Sequence, residues 1–160
     1  MTRREFVAGL IAGAGFLGAS GFSVADDGSS APAGPVGIGL CKSYEYRAVR
    51  RVLRKVLSQL GGVDRLVRGK HVTVKVNLVN TSREDIGGVP VWLTVTVHPV
   101  VAMALGSLVV EYGARRVTFC DQLPFRCSDE EAFAGYGFRL AEFQSAMDGR
   151  ARFLNTRNRA

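Results

Sequence analysis

The chain is poor in the residues that build metal and cofactor sites. Its 160 residues include only three cysteines, two histidines and one tryptophan. No C-x-x-C pair occurs, and His71 and His98 lie far apart in sequence, which argues against a zinc ribbon or an iron–sulfur cluster held by this chain alone. The odd cysteine count leaves at least one of Cys41, Cys120 and Cys127 unpaired or bonded to another chain. The first strand-like run of the main domain is followed by C-K-S-Y-E-Y, not G-x-G-x-x-G, so no dinucleotide-binding motif supports a nicotinamide or flavin site there. No G-x-S-x-G elbow supports an α/β-hydrolase. Cofactors are therefore not identifiable from the sequence.

What is present is ordinary globular material, with 47% hydrophobic and 22% charged residues and a net charge of +7. The length suits one domain. A positive balance favours anionic partners, but it bears on solubility and association more than on fold.

The N-terminus carries a second signal. Residues 2–7 read T-R-R-E-F-V, and an apolar stretch follows over residues 6–22, punctuated by Gly9, Gly13, Gly15, Gly18 and Gly21. Each glycine weakens a helix by about 1 kcal/mol relative to alanine, and the stretch is shorter than the ~20 apolar residues that span a bilayer. Ser23-Val24-Ala25 has the small-residue cleavage pattern. Together these features resemble a bacterial twin-arginine signal peptide, with Arg3, Arg4 and Phe6 as its recognition residues and cleavage after Ala25. The resemblance implies a bacterial or archaeal source and export to the periplasm or exterior by the twin-arginine machinery. Membrane contact would then be limited to the signal segment if it stayed uncleaved. Residues 26–35 (DDGSSAPAGP) read as a linker, leaving residues 36–160 as the folded domain.

Within that domain, residues 36–41 (VGIGLC) alternate and predict a strand with Val36, Ile38 and Leu40 on one face. Ser43 is a candidate N-cap. Val49, Val52, Leu53, Val56, Leu57 and Leu60 mark an amphipathic helix. Residues 71–78 (HVTVKVNL) predict a second strand, with Thr73, Lys75 and Asn77 on a polar face. Residues 89–97 contain a β-prone run expected to form an edge strand or hairpin arm. His98-Pro99 announces a helix, residues 117–121 a third strand ending in Asp121, Ser128-Asp-Glu-Glu131 a capping box, and residues 151–155 a fourth strand. Alternating strands and helices predict an α/β fold with a doubly wound, mostly parallel sheet, incomplete at the C-terminus.

The ordered landmarks G-I-G-L-C-K, L-G-G, V-T-V-K-V-N-L-V, V-H-P-V-V and G-A-R-R-V-T-F-C-D resemble the domain of unknown function 362 family over residues 36–155. That resemblance implies an α/β domain without a settled reaction. Family domains usually continue further, which implies a missing C-terminal half or a partner chain here. The cluster-type cysteine arrays of some members are not present.

In open α/β sheets ligands bind beyond the carboxyl ends of the strands. Lys75, Asn77, His98 and Asp121 fall at that edge. A lysine, an amide, an imidazole and a helix start suit a small anion such as phosphate or carboxylate; Asp121 with His98 could instead hold a metal. Asn and Asp also end strands simply because they suit turns. Arg47, Arg50, Arg51, Arg54 and Lys55 form a basic stripe that reads as the solvated face of a helix, and nucleic acid is not favoured because aromatic interleaving is confined to Tyr44 and Tyr46. Cys120 and Cys127 can pair in an oxidising compartment, or Cys120 can be a buried small hydrophobe.

Overall fold

The computed structural model describes residues 34–79, 85–90, 94–124 and 126–159. The predicted export signal (Arg3, Arg4, Phe6, cleavage after Ala25) and most of the linker lie outside the described residues. Residues from Pro35 to Ala160 form one compact unit. In chain order its elements are α1 (Tyr46–Gln59), α2 (Asp64–Val67), β1 (His71–Lys75), β2 (Asp85–Ile86), β3 (Val89–Pro90), α3 (Pro99–Glu111), β4 (Arg116–Asp121), α4 (Asp129–Ala134), α5 (Leu140–Ala146) and β5 (Ala151–Asn155). A 3-10 turn follows at Thr156–Arg159.

Three strands form the main sheet in the order β1-β4-β5, all parallel. The α/β class and the parallel, incomplete sheet are thus as the alternation implied. Inward positions form registered rows across the strands, such as Val74, Phe119 and Phe153. Phe119 meets Phe143 of α5 with ring centroids 5.0 Å apart, and Phe153 stacks on Phe133 of α4 at 4.7 Å. Helix α3 reaches the same face, since Gly106 sits against Phe119 and Met147. Burying each of these phenylalanine side chains is worth about 1.5–3 kcal/mol. The winding is therefore seen on one face. On the other, His71, Thr73, Lys75, Arg116 and Arg152 are exposed, and Thr118, Cys120 and Leu154 are half-buried.

Four local expectations are corrected. Residues 36–41 are not a strand of the sheet. Val36, Ile38 and Leu40 are 82%, 78% and 79% exposed, and it is the glycine side that faces inward. A Cβ at Gly39 would lie 2.6 Å from Val52 and 2.8 Å from Val56 of α1, so only glycine lets this backbone approach the helix. The cap of α1 is Glu45, not Ser43: its carboxylate accepts the Arg47 and Ala48 N–H groups at 3.0 and 2.8 Å. Strand β1 stops at Lys75; Val76 and Leu78 remain buried in irregular chain. Residues 89–97 divide: Val89 pairs with Ile86 across the Gly87-Gly88 turn, whereas Thr94 and Val95 are helical. Both turn glycines have positive φ (60° and 78°), as a two-residue hairpin turn requires.

The other signals are present as read. Pro99 opens α3, Ser128 and Glu131 form the reciprocal capping box of α4, and β5 occupies the predicted 151–155.

Candidate functional site

The carboxyl ends of β1, β4 and β5 form one polar edge. Asp121, the last residue of β4, is the hub. Its carboxylate is only 9% exposed, and Lys75 Nζ lies 2.7 Å from its Oδ1. Oδ2 accepts the Leu78 N–H at 2.7 Å and Oδ1 accepts the Gln122 N–H at 2.8 Å. The buried charge is thus satisfied by a cation and two amides, as burial demands. Lys75 ends β1, one of the two edge strands of the sheet, and its side chain is 62% exposed. Its ammonium also donates to the Val76 carbonyl at 2.7 Å. Two of its three N–H donors are therefore directed into the protein, and the third is left for solvent or a ligand.

The other two predicted residues do not join this pair through hydrogen bonds. Asn77 Nδ2 donates to the Val95 carbonyl at 3.1 Å, while its own carbonyl accepts the Val97 N–H at 2.9 Å. Asn77 therefore holds the approach to α3. His98 caps that helix: Nδ1 accepts the Val100 N–H at 3.2 Å. Its ring stacks on Tyr44 at 3.9 Å and 8°. Burial holds the His98 pKa below its ordinary value, which keeps Nδ1 available as an acceptor.

Two residues at this edge were not among the candidates read from the sequence. Asn155, fully buried at the end of β5, accepts the Leu123 N–H at 2.9 Å and the Arg157 N–H at 3.2 Å through Oδ1. Tyr136 is 4% exposed, and its phenol is raised in pKa by burial and then by the charge of Asp121. Asn155 could have been noticed as the third strand-end polar residue after Lys75 and Asp121. Tyr136 lies in a turn between short helices, where spacing carries no information.

The basic stripe of α1 is more than a solvated face. Arg54 forks onto Glu111 of α3 at 2.5 and 2.7 Å. Arg50 also pairs with Glu111 and donates to Ser107 Oγ at 3.0 Å. The cavity of about 420 Å³ between Arg47, Arg50, Arg51, Arg54 and Ser107 is thus neutralised in part from within. Glu111 is held well below the carboxylate range, at about 2, chiefly by Arg54 and next by Arg50. Cys120 and Cys127 are both free and half-buried, and Cys41 is free and exposed; no Cys120–Cys127 disulfide is present.

No protein-family model, curated protein or solved structure matches the chain.

Proposed function

We propose that the protein is an exported α/β domain that binds a small anionic ligand at the carboxyl edge of its parallel sheet, with Lys75 contacting the anion. The observation that carries this reading is the Lys75 ammonium: fixed by Asp121 and the Val76 carbonyl, both at 2.7 Å, yet 62% exposed. A cation anchored in advance loses less side-chain freedom when it meets a ligand. Open parallel sheets place ligands at this edge. The anion is preferred over a metal because no group of three or more His, Cys, Asp or Glu side chains able to hold one occurs among the described residues. Export rests on the twin-arginine pattern of residues 2–25, and the motifs resembling the domain of unknown function 362 family supply no reaction to add.

Thermal unfolding of the purified protein with and without inorganic phosphate tests the reading. Phosphate raises the midpoint of the native protein by mass action, and Lys75→Ala loses a clear part of that rise. An unchanged rise in Lys75→Ala removes Lys75 from the site.

A second reading, an interaction module whose sheet a partner chain completes, is favoured by the uncovered sheet face. Parallel sheets are nearly always covered on both faces.

A further inference from the structure

We infer that the same edge holds a second oxyanion site, at its β4–β5 end, formed by Arg126 and Arg157. These residues line a cavity of about 420 Å³ together with Cys127 and Asn158. Arg126 lies on the loop after β4 and Arg157 on the turn after β5, so two neighbouring parallel strands each lead to one arginine at the same opening. Neither side chain has a hydrogen bond or ion pair among the described residues.

The walls of the cavity are fixed. Asn158 Nδ2 donates to the Cys127 carbonyl at 3.0 Å and to Asp129 Oδ1 at 2.9 Å, tying the final turn to the loop. The same Asp129 oxygen accepts the Asn155 N–H at 3.1 Å. Asn155 Oδ1 receives the Leu123 and Arg157 N–H groups. The chain is therefore held at Cys127, next to Arg126, and at Arg157 before any ligand arrives. Asp129 is the acid in this network, and its Oδ1 serves a backbone and an amide donor, not the guanidinium groups.

The contrast with the α1 cavity is informative. That cavity has the same volume and more arginines, but Glu111 already takes the donors of Arg50 and Arg54. At the β4–β5 end the arginine forks are unspent. A guanidinium presents several N–H donors in a planar fork that matches the oxygens of phosphate or carboxylate. The ligand class is accordingly a phosphate or carboxylate group, free or carried on a small molecule, since volumes of a few hundred Å³ suit small ligands. The inference rests on the reading of this edge as an anion-binding edge, but it uses none of the Lys75 contacts.

Cys127 provides a local reporter. The test is the rate of iodoacetamide alkylation at each cysteine of the native protein, read by peptide mass mapping with and without inorganic phosphate. Phosphate at about ten times its dissociation constant leaves roughly a tenth of sites open, so Cys127 labelling slows about tenfold while exposed Cys41 is unaffected. The slowing persists in Lys75→Ala and disappears in Arg126→Ala/Arg157→Ala. Labelling of Cys120, on the central strand, at its native rate checks that the double variant is folded. The inference is overturned by no slowing in the native protein, or by slowing that survives the double substitution. Either result leaves the Lys75 reading standing, because that reading is decided by the melting of Lys75→Ala.

Discussion

A Cβ added at Gly106 would lie 2.7 Å from both Met147 Sδ and Phe119 Cζ. Alanine is the better helix former by about 1 kcal/mol, but overpacking a tight core costs typically about 1–3 kcal/mol. Methionine can yield, being flexible; the Phe119 ring is fully buried within the aromatic cluster and cannot move as cheaply. We expect Gly106→Ala to lose about 1 kcal/mol net, seen as a lower urea midpoint with an unchanged slope. A higher midpoint would show that the core repacks. At this scale the sequence was informative where a residue's role depends on its own strand: Lys75 and Asp121 were found by their place at strand ends. It was uninformative where the role depends on a distant partner. Nothing in G-S-L-V-V marks Gly106 as the point where helix meets sheet, and nothing local aims Asn77 at Val95 or His98 at Tyr44.

The ionic link between α1 and α3 rests on one carboxylate. Glu111 receives both Arg50 and Arg54, and its folded pKa falls from 4.5 to about 2. A carboxyl depressed in the folded state stabilises the fold above its unfolded pKa, and that contribution is lost as pH falls from about 4.5 towards about 2. The carboxylate is 41% exposed, so water screens the interaction, and Glu111→Gln should cost no more than about 1 kcal/mol near neutral pH. The gap between native and variant urea midpoints should close as pH falls through that window. A gap that stays constant would mean the loss is one of packing, not charge. Element existence was largely legible, because amphipathic spacing, the His98-Pro99 start and the capping box are local signals. Orientation was less so. The period-two pattern of residues 36–41 does set Val36, Ile38 and Leu40 apart from Gly37 and Gly39, but no strand forms there, and which side turns inward is decided by α1, whose Val52 and Val56 leave room only for hydrogen.

Across the sheet, one face carries the core and the other carries His71, Lys75, Arg116 and Arg152, which are exposed. β1 is one of the two edge strands of the sheet. The extended segment at residues 36–41 belongs to neither layer. Its one long-range backbone hydrogen bond among those described runs from Ile38 N to the Gln59 side chain at 3.0 Å, and its apolar side chains gain little by staying. Its detachment therefore costs much less than global unfolding, which separates the molecule into two tiers of opening. In native-state hydrogen exchange, the amides of residues 36–41 should trade their protons far ahead of those of α3, β4 and β5. Equal protection across both would mean that the segment and the aromatic core open as one.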